Sequence, residues 1–394
     1  MKTKKLLLLA TSLFLMGSQV VSSQSKTGDL PVFDFSKDYP QTKMRLQEIA
    51  DIEYVPLETT DDILLSGMAS LSAVTDKYIL VHEFQRGDIF VFDRKTGKLY
   101  SHFNHKGSSG MEYTWIKNGT LLDEKKEEIY VCSQYIFVYS LKGEYRRTLK
   151  INGFGHGMKI FNFDDESLLI YDDVTIVPGR EKETTKDPYR LVSKKDGSLI
   201  SVLDIHFSKR YSNAIIQKDG NMYRPYQFSY LHNMHYGQDL VIMDISSDTL
   251  FLLSPNKGLT PILTRKPSVH ASEPRNIWTP FFTTDKFIQF GTFLLDFNSK
   301  GGGPMPTFMY DFKTGEISKL SILDAELGVK PWGSLDEWSP GSTPSIAKNM
   351  AAEMIQASSM IEAYQKKRLV GNGNEVAKKL VEDDNPVVRI LKFK

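Results

Sequence analysis

Ile89-Phe90-Val91-Phe92-Asp93-Arg94-Lys95-Thr96-Gly97 sets a pattern that the chain repeats: a short apolar run, a polar turn ending on glycine, then a second, more polar extended run. The order returns at Ile136-Phe137-Val138-Tyr139 before Ser140-Leu141-Lys142-Gly143. It returns again at Lys195-Asp196-Gly197, Ser254-Pro255-Asn256-Lys257-Gly258 and Asp311-Phe312-Lys313-Thr314-Gly315. Such a unit reads as a β-hairpin, with glycine supplying the positive φ that the turn needs. The glycines at 97, 143, 197, 258 and 315 lie 46, 54, 61 and 57 residues apart. A hairpin recurring at roughly 40 to 60 residues is the sequence form of a β-propeller.

Four antiparallel strands per blade can be laid along the chain. Blade 1 takes Ser70 to Val74, Tyr78 to His82, Ile89 to Phe92 and Lys98 to Phe103; blade 2 takes Thr120 to Asp123, Glu128 to Val131, Ile136 to Tyr139 and Tyr145 to Ile151. Blade 3 uses Ser167 to Tyr171, Tyr189 to Val192 and Leu199 to Ile205. Blade 4 uses Leu240 to Asp244, Thr249 to Leu253 and Thr260 to Thr264. Blade 5 uses Phe287 to Gly291, Phe308 to Tyr310 and Ile317 to Leu320. A sixth blade is expected from the chain ends, Ile52 to Leu57 pairing with Asn385 to Phe393, which closes the ring and removes two sheet edges. Residues 343 to 384 interrupt the pattern: Thr343 and Pro344 suit a helix start, and Ile346, Met350, Met354, Ile355 and Ile361 recur at helical spacing, with a second helix from Asn374 to Glu382. The expected fold class is therefore all-β, a six-bladed β-propeller closed by its N- and C-terminal strands, with a helical insertion at about 343–384 packed on the propeller wall.

Met1 to Ser23 reads as a secretory signal, with Lys2, Lys4 and Lys5 before an apolar core from Leu6 to Met16. That core is too short to span a bilayer, which takes about 20 apolar residues. No cysteine lies near the cleavage region, so the signal lacks a lipidation site. An exported domain over 24–394 is expected, periplasmic or secreted and not a lipoprotein. Cys132 is the single cysteine, so no intramolecular disulfide forms. Without the signal the charge changes from +1 to −2, and a near-neutral chain with no basic stripe argues against nucleic acid.

Asp51-Ile52-Glu53-Tyr54-Val55-Pro56-Leu57-Glu58-Thr59-Thr60, Gly107-Ser108-Ser109-Gly110-Met111-Glu112-Tyr113 and Asp383-Asp384-Asn385-Pro386-Val387 resemble an exported six-bladed β-propeller family common in gut-dwelling bacteria. The resemblance covers the mature chain and implies six blades and export, without an assigned biochemical role. The family's Gly-Pro-Gly before Glu-Tyr is replaced here by Ser109-Gly110-Met111.

Strand direction alternates within a blade, so the loops between strands two and three share a face with the crossovers to the next blade. Propeller ligands commonly sit where such loops converge. His82, Arg86, His105, Glu112, Tyr113, Trp115, His156, His206, Arg224, His270 and Trp278 map to this crossover face. Glu112-Tyr113 with Trp115 suits sugar or peptide binding, against the alternative that Tyr113 packs between blades. The histidines are expected to be hydrogen-bonded loop residues at different radii; convergence on the axis would instead bind a metal or supply acid and base. His232-Asn233-Met234-His235 sits on no predicted helix and lacks a following glutamate, so it reads as a strand end. Gly301-Gly302-Gly303-Pro304 lacks the Lys-Ser/Thr of a phosphate loop. No nucleophile elbow, zinc-protease motif or nucleotide fingerprint is present. The leading expectation is a binding or scaffold propeller for a glycan, peptide or protein, with no catalytic residue, metal or cofactor. The competing one is a metal-assisted lyase or hydrolase with axial histidines.

Overall fold

The computed structural model describes residues 30–116, 119–151, 157–173, 187–207, 209–212, 214–220, 222–227, 233–271, 275–295, 306–327, 345–347 and 349–394. Six sheets form the blades of a propeller. Blade 1 is Ala69–Val74, Tyr78–Glu83, Asp88–Asp93 and Leu99–Asn104, and blade 2 is Thr120–Asp123, Glu128–Cys132, Ile136–Ser140 and Tyr145–Leu149. In blades 3 to 5 the expected strands are present, each set completed by an inner strand: Met158–Asn162, Asn233–Tyr236 and Arg275–Thr283. A two-stranded hairpin, Ala214–Asp219 and Met222–Gln227, is inserted between blades 3 and 4.

Blade 6 closes the ring as its ends foretell: Val387–Phe393 pairs antiparallel with Ala50–Pro56. Its remaining strands correct the start expected for the helices. Ser345–Ala347 and Met350–Ile355 are extended, and the helices are Ala357–Gln365 and Gly373–Ala377. Positions 350 and 354 share one side of a strand as well as of a helix, because a spacing of four satisfies both periods. Met360 and Ala363 of the first helix pack with Tyr54, Leu369, Ala377 and Val387.

The N-terminal segment straps the outside of the ring. Val32–Asp34 lies parallel to the outer strand of blade 4, and Gln41–Arg45 parallel to that of blade 5, before the chain becomes the outer strand of blade 6. Two exposed edges are thereby covered. Phe33 anchors the strap, 6.1 Å from Trp278, 5.0 Å from Phe290 and 4.8 Å from Phe308 between ring centres.

All five recurrent glycines have positive φ, between 70° and 83°. Three of them also form seams between blades. An added Cβ at Gly97 would lie 1.8 Å from the Pro56 carbonyl oxygen of blade 6; at Gly143 it would meet Phe103 of blade 1, and at Gly197 Leu149 and Ile151 beside blade 2. Each turn is also bonded to the blade before it. Glu58 N–H donates to Gly97 O at 2.8 Å, His105 Nε2 to Gly143 O at 2.7 Å and Arg147 Nε to Lys194 O at 2.8 Å.

Candidate functional site

The crossover from blade 1 to blade 2 is stitched in place by its own side chains. Tyr113 is fully buried; its hydroxyl donates to Gly87 O at 2.7 Å and accepts from His105 N–H at 2.9 Å. Burial pushes the phenol's pKa well up, so it stays a neutral bridge. The Glu112 carboxylate accepts the Ser109 N–H at 2.9 Å and is held below the usual range mainly by the hydrogen bonds from Ser109. Lys106 Nζ donates to Gln85 O at 2.6 Å, and Gln134 Nε2 to Glu112 O at 3.3 Å. The loop thus ties the strand-two-to-three loops of blades 1 and 2 together.

On that scaffold Met111 and Trp115 point outward, 56% and 49% exposed. Trp115 stacks on Phe84, ring centres 6.3 Å apart. Leu64, Met68 and Tyr135, also exposed, lie on adjoining loops of the same face. The Ser66 N–H donates to Glu83 and draws the incoming crossover against blade 1. Arg86 rims the patch with Nε 3.2 Å from both Glu83 and Asp88. Clustered apolar side chains with a polar rim on a rigid loop are the usual make-up of an interaction surface.

The other expected site residues separate. Trp278 is 1% exposed and belongs to the core between blades 4 and 5, because its strand begins at Arg275, earlier than the sequence suggests. Tyr113, as above, is packing rather than ligand surface. His82 is buried, its Nδ1 2.6 Å from Ser72 Oγ, and desolvation pushes it down to about 4. It is a neutral link between the inner strands of blades 1 and 2, since Ser72 also accepts from Thr120 at 2.7 Å. His105 stacks on Tyr139 at 5.0 Å. His206 lies between Asp187 and Asp204 at 2.7 and 3.0 Å, and His270 between the Tyr211 hydroxyl and Ser246 O at 2.9 and 3.1 Å. His156, Gly301 to Pro304 and the Arg224 side chain lie outside the described residues, as does the segment 1–29. Among the described residues no three His, Cys, Asp or Glu side chains gather as a metal site.

His105 therefore reads as a seam residue, which can be checked. His105→Ala is expected to cost about 1–2 kcal/mol for the lost hydrogen bond and ring stack. Denaturant unfolding measures that cost, and ligand binding at Trp115 should be unchanged.

One cavity lies where the sequence drew no attention. It opens at the axis on the face opposite the crossovers, has a volume of about 650 Å³, and is walled by the inner-strand ends of blades 1 to 4. Its rim carries the turns after the inner strands, Asp123-Glu124-Lys125 and Asp164-Asp165-Glu166. Those carboxylate-rich turns were the available signal, but paired charges in a turn read as solvated surface.

A family model described as a domain of unknown function, DUF4934, matches residues 30–392. A structure of a Bacteroides fragilis protein assigned as exported is similar with a TM-score of 0.57 at 12% identity, over 90% of this chain and 99% of that one. At that identity the likeness concerns the fold. A Bacteroides caccae protein of unknown function matches with a TM-score of 0.37 at 10% identity, over 65% of this chain and 82% of that one. A virginiamycin B lyase from Staphylococcus aureus matches with a TM-score of 0.38 at 8% identity, over 86% and 99%. A search of curated proteins found no match. No helix among the described residues is long and apolar enough to cross a membrane.

Proposed function

The chain belongs to the DUF4934 family, and on that premise we propose that it is an exported, non-catalytic binding propeller that takes a polypeptide ligand on the crossover face of blades 1 and 2. The single observation that carries this reading is the exposed Trp115, stacked on half-buried Phe84, with exposed Met111, held on a loop whose polar groups are already bonded to the scaffold. A preformed loop loses little conformational freedom on binding, so apolar contact there is converted efficiently into affinity. Aromatic and methionine side chains are enriched at such surfaces, and exposed aliphatic neighbours favour peptide side chains over the hydroxyls of a glycan. The lysine-led apolar N-terminus and the likeness to an exported protein support export, with the side of the outer membrane left to fractionation.

Peptide and glycan arrays probed with purified protein test the reading. Peptides are expected to bind, and Trp115→Ala to weaken that binding by about 2 kcal/mol, the size of a hot-spot truncation, with Tm unchanged. Binding indifferent to Trp115→Ala, or confined to glycans, would overturn it.

A further inference from the structure

We propose that the axial cavity opposite the crossover face is a second binding site, for a neutral, hydroxyl-rich ligand the size of a mono- or disaccharide. The cavity exists because the ring is uneven. Among the described residues the inner strands pack closely between blades 1 and 2, 2 and 3, and 4 and 5, and that of blade 4 reaches across to blade 6, whereas those of blades 3 and 4 meet chiefly through the Phe161 and His235 rings, 6.2 Å apart. A wedge is left between them, walled by Asn162 and Phe163 on one side and His235, Gly237 and Gln238 on the other. Its volume of about 650 Å³ lies within the range of small-molecule sites.

The charges around the wedge are largely engaged within the protein, Glu124 with Lys77 at 4.0 Å and the Asp164 carboxylate with the Ser167 N–H and hydroxyl. Lys194 is buried and bonds Asp123 at 2.7 Å, Lys125 pairs with Asp165, and Lys126 with Glu166 at 3.4 Å. These pairs zip blade 2 to blade 3 and offer a ligand little net charge. The groups left for a ligand are neutral. Asn162 lines the cavity, and its Oδ1, closed off from solvent, has no hydrogen-bond partner among the described residues, a costly state that a turn of the amide toward a ligand would relieve. His235 lines the cavity with burial as the sole cause of its shift, which pushes it down to about 4, so near neutral pH its ring offers one donor and one acceptor. The exposed amides of Gln238 and Asn256 complete the rim. Amides and a neutral imidazole that both donate and accept, beside the Phe163 ring, match the hydroxyls and apolar faces of a sugar. A strongly anionic ligand would meet the surplus carboxylates of the lining, and a strongly cationic one would have to compete with the lysines already paired to them.

Calorimetric titration with a panel of neutral mono- and disaccharides, alongside glucuronate and glucosamine as charged controls, tests the proposal. A neutral saccharide is expected to bind, with affinity flat between about pH 6 and 8 because His235 stays neutral there. Asn162→Ala should weaken binding by about tenfold. Gln238→Ala, at an exposed position that leaves the fold undisturbed, should also weaken it, while Trp115→Ala should not. No binding of any neutral saccharide at millimolar concentration, preference for the charged controls, or indifference to both cavity substitutions would overturn it. Because Trp115→Ala reports only on the crossover face, failure of one site is distinguishable from failure of the other.

Discussion

Gly97→Ala is expected to destabilise the protein by about 2–5 kcal/mol, far more than an alanine at a surface turn should. Two costs add. Gly97 has φ of +70°, a conformation that costs an L-residue about 1–2 kcal/mol. The new Cβ would also lie 1.8 Å from the Pro56 carbonyl oxygen. That contact is with backbone, not a flexible side-chain tip, so the turn or blade 6 must move, an overpacking cost of about 1–3 kcal/mol. The seam bond from Glu58 N–H to Gly97 O would stretch with it. Gly315 provides the control. Its φ of +72° is nearly the same, but no atom lies within 4 Å of its added Cβ. Gly315→Ala should therefore pay the conformational cost alone. Chemical denaturation of both variants measures the difference; equal losses would show that the glycine turn is not an inter-blade seam.

Arg389→Met is expected to cost about 3–5 kcal/mol, the usual result of removing one partner from a buried ionic cluster. Arg389 is fully buried in blade 6, with Nε 2.7 Å from Glu353 and Nη1 2.7 Å from Asp324 and 3.8 Å from Glu326. Glu326 in turn accepts from the Tyr54 hydroxyl and from Val370 N–H, so the cluster joins the terminal strands, the blade 5-to-6 crossover and the segment after the first helix. Methionine fills much of the volume but leaves three carboxylates facing one another. Burial raises the Glu326 pKa despite the arginine. The sign of the pH dependence follows. As pH rises past the carboxylate's ordinary value of about 4.3, the unfolded chain releases this proton first. The folded state then binds more protons, and stability falls with pH until the folded Glu326 ionises. Arg389→Met should therefore lose more stability at pH 8 than at pH 5. Glu326→Gln should remove its share of that slope while keeping partners for Tyr54 and Val370. Thermal unfolding at the two pH values decides it, and a pH-independent loss would contradict the buried-charge account.

The blade count was legible because the outer hairpins advertise themselves: in blades 1 to 5 the third strands are largely apolar and each leads into a glycine turn. The inner strands of blades 3 to 5 were harder. Asn233-Met234-His235-Tyr236 alternates core residues, Met234 and Tyr236, with the cavity-lining His235, so it lacks the apolar run of a buried strand. Arg275–Thr283 contains Pro280, which argues against a strand, yet the structure accommodates it where the register shifts between Pro280 and Phe282. The strap strand Gln41–Arg45 is short and polar because it lies on the outside of an existing blade. At the crossover face the sequence drew attention to the loop carrying Glu112, Tyr113 and Trp115 but could not sort its members. Tyr113 and Trp115 are two residues apart, and only packing makes one a buried bridge and the other a surface ring. The axial cavity was invisible because it is assembled from the inner-strand ends of blades 1 to 4, which are far apart in sequence, so no local pattern encodes it.

Hydroxyl-radical footprinting of the protein with its tightest array-selected peptide tests the central claim most directly. Binding on the crossover face of blades 1 and 2 predicts that Trp115 and Met111 lose reactivity on complex formation, while exposed Met222 and Val381 stay as reactive as before. Unchanged oxidation of Trp115 and Met111 at saturating peptide would contradict it.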